Sequence, residues 1–406
     1  MTQARLIAFY LPQFHPTPDN DAWWGKGFTE WTNVTKALPL FRGHYQPHLP
    51  ADLGFYDLRV PEVREEQAQL ARKAGIEGFS YWHYWFAGRR VLERPFHEVV
   101  TSGRPDFPFC AAWANDTWSS HWYGAERRVL IEQTYPGRDD HERHFHALLP
   151  AFLDRRYIRV HGRPIFTIFR PMKLPETQAF IALWQDLACR NGLPGIHFIA
   201  HLFDNELDFS WKHHGYDGAV VTNELKLQRR RWWDIVAQRS RTTTTESGRL
   251  AGMAAGGRVA ARLLTHRLLQ RVMGWPGGVH FYEDAVLFFR SEQGLAQGCY
   301  PSIVPGWDNT PRAGNKGIVL HGSTPELFAQ HAREILGAVA DRPAEERLVF
   351  VKSWNEWAEG NYLEPDHRFG HAYIDALRAA VGPEVDDRLT ARADPGNQPT
   401  RQNTDA

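Results

Sequence analysis

Residues 348–364 form the stretch LVFVKSWNEWAEGNYLE, an apolar run that leads directly into carboxylates and tryptophans. The run from Leu348 to Trp354 has the composition of a buried strand, and Glu356 and Glu359 follow at its carboxyl end. In a parallel α/β barrel all strands end at the same rim, where catalytic residues lie. The stretch therefore predicts a last barrel strand that delivers acidic side chains to an active-site cleft.

Short β-rich runs recur along the rest of the chain, and longer segments with helical spacing separate them. The eight predicted strands are Arg5–Leu11, Glu77–Trp82, Phe107–Trp113, Pro164–Phe169, His197–His201, Gly218–Thr222, Tyr300–Pro305 and Leu348–Trp354. The predicted helices between them include Val60–Ala74, Thr177–Asn191 and Pro325–Asp341. This alternation predicts an α/β fold of the (β/α)8 TIM-barrel type. A doubly wound open sheet is the alternative, but no G-x-G-x-x-G motif follows any of the strands.

The 406 residues fit one barrel with insertions. We predict a single catalytic domain over residues 1–382, a basic insertion over about 226–295 between strands six and seven, and a disordered tail over 383–406. Between Lys226 and Met273 the insertion carries eleven Lys or Arg residues against two acidic ones. That charge makes it a candidate for peripheral contact with a membrane. Its arginines do not share one helical face, so a solvated insertion is the alternative.

Composition argues against several classes of function. The 47 basic residues equal the 47 acidic ones, so the chain has no overall field that would attract nucleic acid. The three cysteines are far apart, which suggests a reducing compartment and no structural metal. Histidines follow several strands, but none has the spacing of a zinc site, so we expect no metal and no cofactor. The sequence has neither a secretory signal pattern nor a membrane-length apolar run, and we expect a cytoplasmic protein.

The spacing of Glu356 and Glu359 suits work on a glycosidic bond. If the chain turns helically after the strand, the two side chains share one face. Cleaving or forming an acetal needs a proton donor and a second group that promotes attack at the anomeric carbon, and a carboxylate pair supplies both. Repulsion between them, with burial beside Trp354 and Trp357, should raise the pKa of one. The alternative is an exposed helix start that favours acidic residues.

Six motifs in order resemble a known family: FYLPQFH (9–15), GFTEWTN (27–33), GHYQP (43–47), GFYDL (54–58), YWHYWF (81–86) and WNEWAEG (354–360). Together they are similar to the WbsX family, described as glycosyltransferases of bacterial surface polysaccharide such as lipopolysaccharide O-antigen or capsule. That family is related to glycoside hydrolase family 99, the endo-α-mannosidases. The resemblance covers about residues 5–375, apart from the basic insertion.

The resemblance implies a (β/α)8 barrel and retaining chemistry on an α-mannoside-like bond. By carry-over, Glu356 is the base that deprotonates the sugar 2-hydroxyl to give a 1,2-anhydro intermediate, and Glu359 is the general acid/base. Two features depart from the hydrolase pattern and bear on the substrate subsites, namely Trp354-Asn355 before Glu356 and Ala358 between the acids. The residues expected to contact sugar, from motif position and strand ends, are Tyr10, His15, Glu30, Trp31, His44, Tyr81, His83, Trp113, Asn115, Asp116, Trp354, Asn355 and Trp357.

Three functions are compatible with these features. The first is an enzyme that cleaves or forms glycosidic bonds in an oligosaccharide or polysaccharide. The second is a nucleotide-sugar-dependent glycosyltransferase, although the sequence offers no clear diphosphate site. The third is a carbohydrate-binding protein that has lost turnover, which the presence of both acids argues against.

Overall fold

The computed structural model describes residues 4–120, 128–203, 206, 208–222, 271–276, 278–287 and 294–382, with isolated residues at 261, 264–265, 268–269 and 289. The predicted insertion over 226–295 lies largely outside these residues, and the predicted tail over 383–406 lies entirely outside them. Among the described residues, no helix is long and apolar enough to cross a membrane.

Eight parallel strands close into a barrel, which confirms the predicted (β/α)8 fold. They are β1 (Arg5–Tyr10), β2 (Gly78–Phe86), β3 (Phe109–Trp113), β4 (Arg163–Ile168), β5 (His197–Phe203), β6 (Gly218–Thr222), β7 (Cys299–Ile303) and β8 (Leu348–Val351). Each strand pairs with its neighbours along the chain, and β1 pairs with both β2 and β8. All eight predicted strands are present. The main differences are that β2 extends four residues further than predicted and that β8 ends at Val351.

Helices surround the barrel in the order that the sequence predicts. The described helices are α1 (Pro18–Trp24), α2 (Trp31–Lys36), α3 (Pro61–Lys73), α4 (Arg94–Ser102), α5 (Arg138–Leu153), α6 (Thr177–Arg190), α7 (Tyr282–Ala285), α8 (Thr310–Ala313), α9 (Pro325–Ala338) and α10 (Ala372–Val381). Proline begins α3 and α9, where its missing N–H costs no hydrogen bond. The helices predicted over Val60–Ala74, Thr177–Asn191 and Pro325–Asp341 correspond to α3, α6 and α9.

Several short strands lie in the loops that connect the barrel strands and helices. Arg89–Val91 pairs antiparallel with the end of β2, and Arg159–Val160 pairs with β4. Two small sheets are formed by Trp118–Ser119 with Val129–Ile131 and by Val279–Phe281 with Val319–His321. A further hairpin, Asn355–Glu356 with Asn361–Tyr362, follows β8 directly.

The barrel strands are buried on both faces, and successive side chains face different parts of the core. On the inner face, Phe9 stacks on Trp82 with ring centroids 4.9 Å apart and on Phe350 at 5.2 Å. On the outer face, Tyr10 donates a hydrogen bond to Gln67 of α3 (2.7 Å), and Tyr81 packs beside it. Neighbouring residues of one strand therefore serve either the barrel interior or the helix layer.

Candidate active site

The two predicted acids, Glu356 and Glu359, lie on a tight hairpin directly after β8. One turn of 3₁₀-helix over Trp357–Glu359 joins its two short strands. Gly360 ends this turn with a φ of +57°, and a Cβ there would lie 2.8 Å from the backbone nitrogen of Asp308. Glu356 immediately precedes this turn and Glu359 is its last residue, and both side chains face Arg312, so the two acids share one side of the hairpin.

Glu356 is a buried carboxylate in the mouth of the barrel, with 6% of its surface exposed. Its Oε1 accepts a hydrogen bond from the indole N–H of Trp82 (3.1 Å), and its Oε2 lies 3.9 Å from Arg312 Nη2. Burial, followed by the negative charge of Glu359, raises the pKa of Glu356 to about 7. The group therefore changes its charge close to neutral pH, which is the range that suits a general base.

Arg312 is the cation that holds the acidic cluster together. It lies in α8 after β7, and its Nη1 donates to Glu359 Oε1 at 2.5 Å. Its Nε donates to Glu30 Oε1 at 2.8 Å, while its Nη2 faces Glu356. Glu30 is fully buried, and the side chains of Arg312 and Glu359 are 14% and 15% exposed. One guanidinium thus hydrogen-bonds to Glu30 and Glu359 and lies within ion-pair distance of Glu356.

Aromatic side chains of β2 form a wall beside Glu356. Trp82 stacks on Phe9 and meets His201 edge to face, with ring centroids 6.1 Å apart. Two residues further along β2, Tyr84 is buried, and its pKa lies well above the ordinary value because of burial and the charge of Glu356. Trp82 and Tyr84 therefore line the same mouth as Glu356 and Glu359.

Lys352 brings a second buried cation to this region. It directly follows β8, is 6% exposed, and places its Nζ 5.1 Å from the centre of the Trp307 ring. Its charge lowers the pKa of Glu356 and, after burial, that of His201. Lys352 therefore lies within electrostatic reach of the acids on one side and of β5 on the other.

A further buried carboxylate, Glu364, supports the hairpin from behind. It accepts hydrogen bonds from Trp357 Nε1 (2.6 Å), Gln67 Nε2 (2.6 Å) and the Tyr56 hydroxyl (2.9 Å). Burial nevertheless raises its pKa to about 7. Because Trp357 stands between the two catalytic candidates in sequence, these bonds fix the backbone that carries both of them.

Asn355 joins the hairpin to the first strand of the barrel. Its Oδ1 accepts from the backbone N–H of Leu11 (2.7 Å), and its Nδ2 donates to the carbonyl of the same residue (3.0 Å). Trp31 packs on Trp357 with ring centroids 5.5 Å apart. Asn355, Trp357 and Trp31 thus position the hairpin, and Glu30 binds the arginine of the acidic cluster.

Other predicted contact residues face the helix layer. Those placed on the outer side are Tyr10, Tyr81, His83, Trp113 and Trp354. His83 Nε2 lies 2.9 Å from Nε2 of His144 in α5, and burial lowers the pKa of His83 to about 3. Trp113 packs on Phe180 of α6. The structure does not bring these side chains together with the acids.

The remaining predicted residues lie at three places around the rim. Asn115 accepts from the backbone N–H of Arg170 (2.7 Å), and Asp116 pairs with the Nε of the same arginine (3.1 Å). His15 is buried, and its pKa is lowered to about 4, chiefly by that burial. His44 Nε2 lies 2.6 Å from Asp308 Oδ2, beside the backbone that supports Glu359.

The predicted list of sugar contacts leaves out Trp82, Tyr84, Arg312 and Lys352. The first two lie one residue away from predicted ones in the YWHYWF motif, so the correct alternation would have found them. Lys352 lies in the motif that decides the fold, at the carboxyl end of β8, where catalytic residues are expected. Arg312 lies in a loop, and no sequence pattern marks it.

The described residues contain no group of three His, Cys, Asp or Glu side chains that could hold a metal ion. The histidines that follow the strands have other surroundings. His83 lies against His144, and His201 is buried among Phe9, Trp82 and Phe169.

Nearly the whole chain is similar to known proteins. A family model described as glycosyltransferase WbsX matches residues 6–377. Uncharacterized protein WxcX from two strains of Xanthomonas campestris pv. campestris is 40% identical over 380 residues, which is 93% of this chain and 50% of each relative. The chain therefore spans about half the length of these curated relatives.

Two solved structures share the fold at low identity. A glycoside hydrolase-like protein has a TM-score of 0.58 and 13% identity, with 94% of this chain and 95% of that chain covered. The GH99 endo-α-mannosidase from Bacteroides thetaiotaomicron, in complex with Bis-Tris-propane, has a TM-score of 0.50 and 16% identity, with 96% and 98% covered. At such identities the likeness concerns the fold alone.

Proposed function

We propose, from the premise that the chain belongs to the WbsX glycosyltransferase family, that it is a carbohydrate-active enzyme whose Glu356 and Glu359 act on a glycosidic bond. The observation that carries this proposal is the acidic cluster itself. Both carboxylates flank one guanidinium in a largely buried, aromatic-walled mouth at the carboxyl ends of the strands. That end of a barrel is where the fold places catalytic groups.

In the proposed reaction, Glu356 removes the proton of the sugar 2-hydroxyl. The resulting oxygen attacks the anomeric carbon and forms a 1,2-anhydro sugar, while the bond to the leaving oxygen breaks and Glu359 gives that oxygen a proton. In the second step Glu359 takes a proton from the incoming hydroxyl, which opens the anhydro ring at the anomeric carbon, and Glu356 returns a proton to the 2-oxygen. Two inversions give net retention, and the pKa of about 7 makes Glu356 an ionised base above that pH.

The surrounding residues would assist this chemistry without exchanging protons. The Trp82 indole N–H orients Glu356, and Arg312 keeps both carboxylates on one side of the substrate. The aromatic wall excludes water, which strengthens each of these electrostatic contacts. Trp82 also offers a face on which the C–H groups of a sugar ring can pack.

We place this activity in bacterial surface-polysaccharide metabolism in the cytoplasm, with an oligosaccharide or polysaccharide as substrate and retention at an α-mannoside-like bond. The basic segment between residues 226 and 273 is our candidate for membrane contact. A nucleotide-sugar-dependent glycosyltransferase is the second candidate, and the description of the matching family favours it. In that case the buried cation Lys352, within reach of Glu356, would face the anionic leaving group.

The test is turnover of labelled mannose-containing glycans, with and without nucleotide sugars, with products identified by mass. Glu356→Gln and Glu359→Gln should each abolish turnover and leave the fold intact. Glu66→Gln, at an exposed position on α3, is the matched control and should behave as the wild type. Full turnover by both catalytic variants would remove the proposal, and product that appears only with a nucleotide donor would select the transferase.

A substrate with an activated leaving group tests the separate role of Glu359. Such a group departs without protonation, so Glu359→Ala should lose much less activity on it than on an unactivated glycoside. Equal losses on the two substrates would exclude Glu359 as the proton donor.

A further inference from the structure

A cavity lies beside the hairpin that carries Glu356 and Glu359 and is lined by neither of these acids. This lateral pocket has a volume of about 290 Å³ and is lined by residues from the segments 43–48, 305–308, 319–323 and 360–373. It shares a wall with the catalytic site, because Gly360 and Asp308 line it and the Asp308 N–H donates to the Glu359 carbonyl at 2.6 Å. A ligand in the pocket would touch the backbone that holds Glu359.

Aromatic side chains and an arginine form much of the pocket wall. Arg368 is exposed at its edge, and its guanidinium lies 4.6 Å from the ring centre of Tyr45 and 5.0 Å from that of Phe369. Tyr362 stacks on Trp357 at 3.8 Å and turns its hydroxyl to His48 Nδ1 (2.8 Å) and Asp366 Oδ2 (2.7 Å). Polar groups that converge between apolar side chains in this way are suited to a small hydroxyl-bearing ligand such as a saccharide.

The polar groups of the pocket favour a neutral, hydroxyl-bearing ligand. Burial lowers the pKa of both His48 and His321, so these imidazoles are uncharged at pH 7 and able to donate or accept. Asp308 keeps a lowered pKa, with His44 as its closest partner, and therefore stays ionised. Trp307 also lines the pocket, and its Nε1 is buried with no hydrogen-bond partner among the described residues.

An anion is a poorer fit, although α9 begins at the edge of the pocket. The first helical residue, Pro325, has no N–H, and the Leu327 N–H already donates to Thr324 Oγ1 (3.3 Å). The Glu326 carboxylate accepts from its own backbone N–H. The start of this helix is thus capped by the chain itself, and Asp308 and Asp366 in the pocket wall would repel a phosphate.

We infer that the lateral pocket binds one neutral glycosyl unit of the carbohydrate, outside the position where the bond is made or broken. The inference rests on the proposed function in taking the ligand to be a saccharide. The volume suits one monosaccharide unit, since sites for drug-sized ligands start at about 300 Å³. Occupancy would stiffen the Asp308 to Glu359 contact and so link recognition of a remote sugar to the geometry of the acid/base.

Saturation-transfer NMR with three soluble glycosides tests the inference without any turnover. The probes are methyl α-D-mannopyranoside, methyl α-D-glucopyranoside and methyl α-L-rhamnopyranoside, each titrated against the full chain. At least one should bind, and Arg368→Ala should weaken it about tenfold, the loss expected for one hydrogen bond from a charged donor. Glu356→Gln and the exposed control Arg190→Ala should bind as the wild type does.

Four results would overturn the inference. These are no saturation transfer to any of the three probes, equal binding by Arg368→Ala and wild type, loss of binding in Trp82→Ala instead of Arg368→Ala, and displacement of the glycoside by inorganic phosphate. Because binding is measured apart from turnover, the two proposals can fail separately. If a glycoside binds as expected but turnover is unchanged in Glu356→Gln, the proposed function is refuted and the inference about the lateral pocket is not.

Discussion

Replacing Glu356 by glutamine should stabilise the folded chain, and the gain should depend on pH. Burial and the charge of Glu359 raise the pKa of Glu356 in the folded state. A raised pKa means that ionisation of this carboxyl opposes folding. Glutamine has the same shape, cannot ionise, and keeps a carbonyl oxygen for the Trp82 N–H.

The size and the pH range of the effect follow from the two pKa values. The pKa of Glu356 is about 7 against an ordinary 4.5, a difference of about 2.5 units. At about 1.4 kcal/mol per unit the penalty has an upper value of about 3 kcal/mol, and we expect about 1–3 kcal/mol. The penalty is absent below about pH 4.5, grows as the pH rises to about 7, and is complete above that.

Urea unfolding at pH 5 and pH 8 measures this difference. We expect Glu356→Gln to exceed the wild type in free energy of unfolding by about 1–3 kcal/mol at pH 8 and by much less at pH 5. Glu66→Gln on the exposed face of α3 should show no such dependence. A variant that is no more stable than the wild type at pH 8 would refute the argument that Glu356 is buried at an electrostatic cost.

Three further substitutions probe the surroundings of this acid. Arg312→Gln removes a cation 3.9 Å from Glu356, so the pKa of Glu356 should rise by about one to three units, as an infrared titration of its carboxyl band would show. Glu364→Gln places an amide where three donors converge and should lower the free energy of unfolding by about 1–3 kcal/mol at pH 5, with a smaller loss at pH 8, because burial raises the pKa of Glu364 to about 7 and its ionisation opposes folding above that pH. Trp82→Phe removes the donor to Glu356 and should reduce turnover about ten- to a hundredfold, whereas Tyr81→Phe on the outer face should retain it within about twofold.

Each of these expectations has an outcome that would contradict it. An unshifted carboxyl titration in Arg312→Gln would mean that the guanidinium does not control the charge of the cluster. Wild-type stability of Glu364→Gln would show that its three hydrogen bonds contribute little. Equal losses in the two β2 variants would contradict the assignment of Trp82 to the mouth and Tyr81 to the helix layer.

The sequence was sufficient to predict the barrel and the location of its acids. The eight strands are short apolar runs bounded by polar or turn residues, so their burial is visible in composition alone. Leu348–Val351 is such a run, and the hairpin that carries Glu356 follows it at the expected rim. The strands can be predicted because local hydrophobicity is visible in the sequence. The location of the acids follows because all strands of a parallel barrel end at the same rim.

The direction of individual side chains was harder to predict, and β2 shows why. All nine residues of Gly78–Phe86 are buried, because one face meets the barrel interior and the other meets the helices. Aromatic residues occupy both faces, so the pattern has no polar positions that would set its phase. The predicted sugar contacts on this strand therefore include Tyr81 and His83, whereas Trp82 and Tyr84 are the side chains that face the acids.

Arg312 was missed for a different reason. It lies in a four-residue helix after β7, and only the folded loop brings it to Glu30, Glu356 and Glu359. An arginine in a polar loop is by itself an ordinary surface residue. Its role depends on contacts between distant segments, which periodicity does not record.

β1 pairs with β8, and Asn355 makes two hydrogen bonds to the backbone of Leu11 beside this pairing. The barrel can therefore close only when the last strand has been synthesised. During synthesis the chain emerges from its amino end, so Trp82 has long been made when Glu356 leaves the ribosome. The last strand must then return to the first and close a loop of more than three hundred residues, which is a slow, nonlocal step in folding. A nascent chain that stops before residue 356 lacks the proposed base altogether, and we expect it to be inactive in the proposed reaction.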